Sequence, residues 1–489
     1  ARQYGVRIGY EALAWGRHVN EWQAAWRIVG AGDHDNLGIV LDAFHVLVKS
    51  GDVAGLAQLA PDKITLVQLA DAPRLDTGVL YLSRHHRCFP GQGSFPVEDF
   101  ARRIHQTGYD GYWSHEIFSD EFRASRLDPT ALDAKRSLVW LQERAAAPDR
   151  PHLKPQDSVD EIAFVEFAVE DRTRNELTEM LGALGFVETH RHRSKDVGLM
   201  QRGSVRFVIN AELDSYAYNY YRQHGASVCA LGLRTHDIDV LRQRAIRLDY
   251  PWHEGTAPPG QLQIPAVAGL QGQLFYFVDR DAAFENVDFV PVQAPTADNG
   301  IHRIDHIAET VRDSDFLSTT LFYRAMLGLS LEEIIDLVDP NGMVYSRLAR
   351  TVSGSFRLSF NTSHNWGTTS QRFVEQLRGG GVQQIAIATR DIFQTVRGID
   401  ARFLLPIPDN YYDDLAARTE LPGAQIDALR RHGILYDLDR GGEFFHCYTR
   451  DVAGMFFEIV QRIGQYDRYG EVNANVRLAA QNRIAQRAR

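Results

Sequence analysis

The chain of 489 residues, with 44% hydrophobic and 24% charged residues, has the composition of a globular protein of several domains. No apolar run approaches the roughly 18 residues of a membrane span, and the formal net charge of -10 gives no electrostatic reason to expect nucleic acid or an anionic membrane as partner. Cys88, Cys229 and Cys447 are far apart and odd in number, which excludes a disulfide framework or a zinc spacing. The cytoplasm is the expected compartment, because no secretion signal opens the chain.

Four short apolar runs in residues 1–144 are typical of buried parallel strands, and a helical pattern follows each of them. The runs are VRIGYEA, GIVLDAF, ITLVQLA and YDGYWSHEI; the helical candidates are NEWQAAWRIVGA, DVAGLAQLA, VEDFARRIHQTG and ALDAKRSLVWLQERAAA. This alternation predicts one half of an α/β (β/α)8 TIM barrel. Since four units leave parallel edges open, we expect the first half of the barrel to exist as well, outside this chain.

Each run carries a side chain of metal-ligand type near its end. These side chains are Glu11, Asp42, Gln68 and Glu116. Because the carboxyl ends of parallel barrel strands meet at one mouth, the four residues can share one cation. Three carboxylates and an amide oxygen favour a hard divalent ion such as Mg²⁺ or Mn²⁺ over a structural zinc. Any one of them alone is equally compatible with a surface carboxylate or a strand-end cap, so the prediction depends on the set.

The sequence changes character after residue 144. Residues 145–157 contain three prolines without a periodic pattern, which predicts a linker. Beyond it, IAFVEFAVED, CALGLRTHDID and FYFVDRD match IDHIAETVRD, IAIATRDIF and MFFEIVQR in the same order. This internal duplication predicts two βαβββ modules of α+β type, module one at 158–291 and module two at 301–463, followed by a polar C-terminal tail at 464–489.

The motifs GYEALAWGR, LDAFH, VQLADA, RHHRCFPGQG and SHEIFSD resemble the second half of the sugar-phosphate isomerase/epimerase barrel family. The resemblance is strongest to the bacterial 3-dehydroshikimate dehydratases of quinate and shikimate catabolism. In that subgroup a domain similar to 4-hydroxyphenylpyruvate dioxygenase follows the barrel, and the order of domains is the same here. The resemblance therefore implies a multidomain enzyme, a xylose-isomerase-like TIM barrel followed by a dioxygenase-like vicinal-oxygen-chelate double module.

For the barrel, the resemblance implies a lyase that removes water from 3-dehydroshikimate to give protocatechuate. The four strand-end residues would bind the divalent metal, for which Mg and Mn are the leading candidates and Co is a further one. His45 would be the catalytic residue, either as the base that takes the α-proton or as the acid that assists departure of hydroxide. A structural histidine at the start of a helix is the alternative interpretation of His45.

The loop before FPGQG carries the residues that the resemblance assigns to the substrate. Ser83 and Arg87 match the clamp for the substrate carboxylate, and an arginine fork suits a planar carboxylate. Arg84, His85 and His86 are neighbours that can take the same role, so the choice of Arg87 depends on the resemblance. A solvated basic loop is the alternative.

In module two, the resemblance to 4-hydroxyphenylpyruvate dioxygenase implies a second metal site made of His306, Gln384 and Glu458. The dioxygenases have a histidine where this chain has Gln384. An amide oxygen in that place favours a harder ion such as Mg, or a vestigial site, over an iron centre that activates dioxygen.

In module one we place the matching positions at Glu166, Cys229 and close to Asn286, which form no ligand set. We therefore expect module one to be structural and the dioxygenase-like domain to form the interface of a homo-oligomer. Two other functions stay open: an oxidoreductase of the 4-hydroxyphenylpyruvate dioxygenase type, and a protein that binds a metabolite without catalysis.

Overall fold

The computed structural model describes residues 2–49, 51–146, 159–255, 262–280, 284–296 and 300–487. These residues form two compact units. The first unit contains residues 2–49 and 51–146 together with Gln243–Tyr250 and Leu317–Leu329, and the second contains the other described residues. Of the predicted linker at 145–157, only Ala145 and Ala146 are described, and both belong to a helix. The remainder of the linker lies outside the described residues.

The first unit is built on a four-stranded parallel sheet with the order β1-β2-β3-β4. Its strands are β1 (Ile8–Glu11), β2 (Leu37–Asp42), β3 (Ile64–Leu69) and β4 (Trp113–His115). Its N-terminal helices are α1 (Trp22–Gly32), α2 (Ala43–Leu47), α3 (Val79–His85), α4 (Val97–Gln106), α5 (Asp120–Ala124) and α6 (Leu127–Ala146). This architecture confirms the predicted half of a TIM barrel.

Helix α4 shows why the sequence folds in this way. Val97, Phe100, Ala101 and Ile104 are all buried, and their spacing of three and four residues places them on one face of the helix. The prediction of a helix over DVAGLAQLA is wrong. Only Ala54–Gln58 of that segment is helical, as a short 3-10 turn, and Gly55 inside it disfavours a longer helix.

Module one contains a nine-stranded sheet with the order β10-β11-β12-β9-β5-β8-β7-β6-β13. Its strands are β5 (Ile162–Ala168), β6 (Val187–His192), β7 (Val197–Arg202), β8 (Val205–Asn210), β9 (Ser227–Thr235), β10 (Trp252–His253), β11 (Ala266–Ala268), β12 (Leu274–Asp279) and β13 (Phe289–Pro291). Its helices are α7 (Asp171–Ala183), α8 (Tyr216–His224), α9 (Ile238–Leu248) and α10 (Glu285–Asp288).

Module two contains an eight-stranded sheet with the order β15-β16-β17-β14-β18-β21-β20-β19. Its strands are β14 (Ile301–Thr310), β15 (Ser330–Asp339), β16 (Gly342–Arg350), β17 (Arg357–Thr362), β18 (Gly381–Thr389), β19 (Leu435–Asp439), β20 (Gly442–Tyr448) and β21 (Phe456–Gly464). Its helices are α11 (Phe316–Leu321), α12 (Thr369–Leu377), α13 (Ile392–Arg397), α14 (Asn410–Arg418), α15 (Gly423–His432) and α16 (Ala474–Arg487).

The two modules repeat one topology. The first strand of each module lies between a parallel and an antiparallel neighbour, β5 between β8 and β9, and β14 between β17 and β18. The antiparallel neighbour in turn pairs in parallel with a further strand: β9 pairs with β12, and β18 pairs with β21. This order is that of the predicted vicinal-oxygen-chelate double module.

The C-terminal segment is more ordered than a tail. Residues 464–489, predicted as a polar tail, include helix α16, whose Leu478 and Ala480 are buried. Arg, Asn and Gln residues cover the other faces of this helix, and they conceal its narrow apolar face in the sequence. None of the helices in the described part of the chain combines the length and the apolar character that a transmembrane span requires.

Candidate metal centre and active site

The four predicted ligands of the barrel site lie at one edge of the parallel sheet. Glu11 and Asp42 are the last residues of β1 and β2, Gln68 is the next-to-last residue of β3, and Glu116 directly follows β4. Asp42 and Gln68 are paired in register across β2 and β3. The strands therefore bring all four side chains to their carboxyl ends, as the fold requires.

The distances between these side chains show that they converge. Gln68 Nε2 donates a hydrogen bond to Glu116 Oε1 at 2.8 Å. Asp42 Oδ1 accepts from the backbone N–H of Phe44 at 2.8 Å and so caps α2, which leaves Oδ2 for the site. His45 Nε2 lies 3.5 Å from Asp42 Oδ2 and 3.8 Å from Glu11 Oε1.

Two features of this cluster fit a divalent cation. Glu11, Asp42 and His45 each offer one ligand atom, and these atoms lie within 4.8 Å of one another. The side-chain oxygen of Gln68, Oε1, is buried without a hydrogen-bond partner. A buried acceptor without a donor carries a cost that a coordinated cation removes. A ligand role for His45 itself was not expected from the sequence.

The carboxylates of the site are held in an unfavourable electrostatic state. Burial, with repulsion from Asp42 and Glu116, raises the pKa of Glu11 to about 7. Burial also raises the pKa of Asp42 to about 6, although the Arg87 guanidinium opposes the change. Carboxyl groups that ionise this reluctantly gain most from a nearby positive charge, so their electrostatics favour cation binding.

His45 is held as a neutral imidazole. Burial, together with the positive charges of Arg87 and Arg84, lowers its pKa to about 3. Its Nδ1 accepts a hydrogen bond from the backbone N–H of Ala14 at 3.3 Å, and a backbone N–H can only donate. The ring proton therefore belongs on Nε2, the atom that faces Glu11 and Asp42. Trp15 packs against the ring at a centroid distance of 4.7 Å and fixes its orientation.

Arg87 lies inside the cluster and not on its rim. Its side chain is fully buried, and Nη1 contacts Asp42 Oδ2 at 2.8 Å and Glu116 Oε2 at 3.0 Å. Its Nη2 donates to the hydroxyl of Ser83 at 2.9 Å and lies 3.3 Å from His45 Nε2. Arg87 thus neutralises two of the predicted ligands. Its predicted role as a substrate clamp, with Ser83, stays a prediction and requires these contacts to change.

Arg84 occupies a different environment from Arg87. It is exposed, and its guanidinium carbon lies 5.6 Å from the centroid of the Trp15 ring and 5.3 Å from that of Phe118. The position of this cation next to His45 is reflected in the lowered pKa of the histidine. Arg84 therefore brings an available charge to the edge of the site, which the sequence left open as an alternative to Arg87.

Asp71, which sequence reasoning missed, organises the loop that follows Arg87. Its buried carboxylate accepts hydrogen bonds from the backbone N–H groups of Gly91 and Gly93, both at 3.0 Å, and of Phe95 at 2.9 Å. A Cβ atom at Gly93 would overlap this carboxylate, so the loop requires glycine there. An acid just past a strand together with a glycine-rich loop is the signal that could have found this arrangement.

Arg324 holds the same loop from the other side. It lies in a π-helical turn at Phe322–Met326 and donates from Nη1 to the carbonyl of Gly91 at 2.7 Å. Its guanidinium carbon lies 5.8 Å from the centroid of the Trp140 ring. No local pattern in the sequence signals this contact, because the two hydrogen-bonded residues are separated by 233 positions.

The three predicted ligands of the second site also converge. Gln384 Nε2 donates to Glu458 Oε2 at 2.6 Å and lies 3.2 Å from His306 Nε2, and His306 Nε2 is 3.1 Å from the same carboxylate oxygen. Asp305 Oδ1 lies within hydrogen-bond distance of His306 Nδ1, at 2.9 Å, and this contact orients Nε2 toward Glu458. Such a carboxylate behind a histidine is typical of metal-binding histidines.

The second site is nevertheless satisfied by its own side chains. Asn473 Nδ2 contacts His446 Nε2 at 3.0 Å, so the ring proton lies on Nδ1, which donates to Glu458 Oε1 at 2.6 Å. Burial alone would raise the pKa of Glu458, but hydrogen bonds from His306 and His446 outweigh it and hold the pKa at about 2. A cation fits there only if the Gln384 amide turns to present its oxygen.

Strand register corrects the positions assigned to module one. Phe164 pairs with Gly232 as His306 pairs with Ala386, and the equivalents of His306, Gln384 and Glu458 are therefore Phe164, Ala230 and Tyr276. The assignment to Glu166, Cys229 and Asn286 is wrong, because Glu166 matches Ala308, Cys229 precedes the matching Ala230 by one residue, and Asn286 lies in α10. The conclusion that module one lacks this ligand set is unchanged.

Comparison with known proteins supports each half of the fold. Residues 1–144 match the family described as xylose isomerase-like TIM barrel, and residues 155–290 match the N-terminal part of hydroxyphenylpyruvate dioxygenase. A solved xylose isomerase-like TIM barrel/4-hydroxyphenylpyruvate dioxygenase fusion protein superposes with a TM-score of 0.89 at 39% identity. That match covers 98% of this chain and 79% of the other.

The fold and the strand-end cluster define an enzyme of the xylose-isomerase-like barrel class that is fused to a dioxygenase-like domain. Curated relatives named 3-dehydroshikimate dehydratase are 41% identical in Pseudomonas aeruginosa and 40% identical in Pseudomonas putida. These matches cover 97% and 98% of this chain and 78% of each relative. The chain belongs to this family of fused 3-dehydroshikimate dehydratases.

Proposed function

We propose that the chain catalyses the metal-dependent loss of water from 3-dehydroshikimate to give protocatechuate. The observation that carries the proposal is the convergence of Glu11, Asp42, Gln68 and Glu116 at the carboxyl ends of four parallel strands. The raised pKa values of Glu11 and Asp42, and the unpartnered oxygen of Gln68, support a cation in this position. The names of the curated relatives support the choice of substrate.

The four strand-end residues would hold Mg or Mn, with Co as a further candidate, since oxygen ligands favour hard ions. A divalent ion bound there would polarise the ketone of the substrate and make the adjacent C–H bond more acidic. His45 lies beside these ligands, and with its proton on Nε2 it faces the site as a donor and not as a further ligand. The pairing of Arg87 with Asp42 and Glu116 keeps these two carboxylates facing the site.

The tautomer of His45 favours one of its two predicted roles. With its proton on Nε2, the ring presents an N–H donor to the site, and the lowered pKa keeps the ring neutral near pH 7. A donor in this place stabilises charge that develops on the departing hydroxyl group. We therefore assign His45 to the leaving group rather than to removal of the α-proton.

For the substrate carboxylate, Arg84 is a stronger candidate than Arg87. The donors of Arg87 are already directed to Asp42, Glu116 and Ser83. Arg84 is exposed next to His45 and its guanidinium is accessible to a ligand. An accessible arginine can form the paired hydrogen bonds that a carboxylate prefers.

The direct test is the appearance of protocatechuate absorbance when the protein, in a form that includes both barrel halves, is mixed with 3-dehydroshikimate and Mg²⁺. We expect turnover that EDTA abolishes and that Mg²⁺ or Mn²⁺ restores. No product under these conditions, with the metal shown to be bound, contradicts the proposal.

We also propose that the dioxygenase-like domain is structural or regulatory, that its second site binds a divalent ion such as Mg, and that the domain forms a homo-oligomer. Oxidation of an aromatic 2-oxo acid has less support, because Gln384 supplies an amide and Glu458 is already paired with two histidines. Oxygen uptake with 4-hydroxyphenylpyruvate and Fe²⁺ would restore the oxidoreductase hypothesis.

A further inference from the structure

Module one contains a large cavity on the inner face of its sheet. The cavity has a volume of about 610 Å³, within the range of small-molecule sites. Its walls include side chains from β5, β8, β9 and β12, together with residues of α8 and β10. Nothing in the proposed dehydration uses this space.

The cavity is the counterpart of the second metal site in module two. In module two the relevant positions are His306, Ala308, Ser359, Asn361, Gln384 and Glu458; in module one the matching residues are Phe164, Glu166, Val208, Asn210, Ala230 and Tyr276. All six of these module-one residues line the cavity. The duplication thus supplies two equivalent concave sites, which we call the cups of module one and module two. Only the cup of module two contains the predicted ligands.

The two cups differ in how much space they leave. The cavities next to His306 and Gln384 in module two measure about 50 and 20 Å³, and Arg477 of the C-terminal helix lines both of them. In module one the space measures about 610 Å³, although Phe164 and Tyr276 are larger than the His306 and Glu458 that they match. Residues of the C-terminal segment therefore help to close the cup of module two, and a large pocket is left in module one.

Polar groups face this pocket at its base. Asn210 Nδ2 donates to Glu166 Oε1 at 2.7 Å, and burial raises the pKa of the Glu166 carboxyl, which favours its protonated, hydrogen-bond-donating form. Glu166 and Asn210 thus present a hydrogen-bonded polar pair to the pocket.

The remaining walls combine aromatic rings with one cation. Phe164, Tyr276 and Phe284 form aromatic walls, with Phe164 and Phe284 in contact at a centroid distance of 4.9 Å. Lys195 is exposed and lines the pocket. Its charge favours ionisation of Glu166, so the ammonium group acts on the pocket interior.

We propose that the cup of module one binds a small aromatic carboxylic acid, with the ring against the aromatic wall of Phe164 and Tyr276, the carboxylate toward Lys195, and a ring hydroxyl toward Glu166 and Asn210. Rings pack favourably against aromatic walls, and the two ends of the cup supply a cation and hydrogen-bonding groups. The product of the proposed dehydration belongs to this chemical class. The proposal depends on the proposed function only for that connection.

The test is isothermal titration of the full chain with 4-hydroxybenzoate in EDTA, in a Glu116→Gln background that disables the barrel site. We expect one equivalent to bind. Ala230→Leu adds bulk to the wall of the cup and should weaken binding, and Lys195→Gln should raise Kd about tenfold, a change of ~1.4 kcal/mol. Lys49→Gln, which removes an exposed lysine of the first unit, is the matched control and should leave Kd unchanged.

Two results would overturn the proposal: no binding in the Glu116→Gln chain, or binding that neither Ala230→Leu nor Lys195→Gln weakens. Equal affinity for 4-hydroxybenzyl alcohol would remove the carboxylate from the recognition model. If Ala230→Leu fails to fold, Asn210→Ala deletes an amide of the polar pair in the pocket and should weaken binding. The dehydration assay is run separately, so a chain without lyase activity can still bind the probe.

Discussion

The barrel site and the second site use similar side chains but place them in opposite electrostatic states. Each has a carboxylate, a glutamine amide and an imidazole on strands or directly after a strand end. In the barrel, burial and mutual repulsion raise the pKa values of Glu11 and Asp42. In module two, hydrogen bonds from His306 and His446 lower the pKa of Glu458 to about 2.

This difference shows that a ligand set alone does not define a metal site. The barrel cluster leaves carboxylates that are costly to ionise and one amide oxygen without a donor, and a divalent ion corrects both problems at once. The module-two cluster has formed its own hydrogen bonds, so an ion must compete with them. We therefore expect the barrel site to bind its metal more tightly.

The largest expected effect is that of Glu116→Gln on dehydration. Loss of one ligand charge should lower kcat/KM at least about a hundredfold, by analogy with the cost of disturbing metal ligation. The measurement is the initial rate of protocatechuate formation at saturating Mg²⁺. Glu458→Gln is the matched control in the other site, and its rate should stay close to that of the parent chain.

Equal losses in Glu116→Gln and Glu458→Gln would remove the distinction between the sites. Circular dichroism and thermal unfolding of both variants are then needed to separate catalysis from folding. A large loss in Glu458→Gln alone would show that module two takes part in the reaction.

The arginine pair provides a second test of the barrel site. Arg84→Gln should raise the KM for 3-dehydroshikimate about tenfold or more with a small effect on kcat, because it removes a cation accessible to the substrate. Arg87→Gln should instead destabilise the fold by roughly 3 kcal/mol, since it leaves Asp42 and Glu116 without their buried partner. Steady-state kinetics and urea unfolding distinguish the two outcomes. A KM effect in Arg87→Gln alone restores the sequence-based assignment of the clamp.

A smaller effect is expected at Arg324, which acts on the barrel site through the loop at Gly91. Arg324→Ala should lower kcat/KM several-fold, up to about tenfold, because the loop that follows Arg87 loses one of its anchors. Arg324→Lys should recover part of the activity. Arg430→Ala, at an exposed arginine in α15, serves as the control and should match the parent chain.

The smallest and most specific effect concerns stability and pH in EDTA-treated protein. The folded pKa of Glu11, about 7, lies above its usual value of 4.5, so this group stabilises the fold at low pH and the contribution is lost as pH rises toward 7. For Glu458 the folded pKa is about 2, so its contribution is present above pH 4.5 and is lost as pH falls toward 2.

Urea unfolding of the parent chain, Glu11→Gln and Glu458→Gln across pH measures these contributions as differences in the free energy of unfolding. The difference for Glu11→Gln should change between about pH 4.5 and 7, whereas that for Glu458→Gln should be constant there. If the differences in unfolding free energy changed with pH in the same way for the two variants, the proposed electrostatic contrast between the two sites would be wrong.

The sequence contained the barrel half and its ligands because local patterns specify both. Short apolar runs that end in Glu11, Asp42 and Gln68 fix the strands and the edge at which the side chains meet. The duplication was equally visible, since matching motifs recur in order. Both modules adopt the same strand order for this reason.

The features that could not be predicted from the sequence depend on contacts between distant positions or on strand register. The pairing of Glu166 with Ala230 identifies the residue that matches Gln384, and the sequence-based assignment was one position away, at Cys229. The burial of Arg87 depends on three chain segments that meet only in the fold. Arg324 reaches Gly91 across 233 positions, which single-sequence reasoning does not detect.

The contact between Arg324 and Gly91 has a consequence for biosynthesis. The compact first unit includes Leu317–Leu329, so its packing is completed only after the ribosome has translated most of the later sequence. At typical elongation rates, that leaves the N-terminal segment waiting for roughly ten to thirty seconds after residue 157 has been added. A gene divided at the linker would therefore release a nascent barrel fragment that lacks part of its own packing, which makes the two halves poor candidates for exchange as independent cassettes.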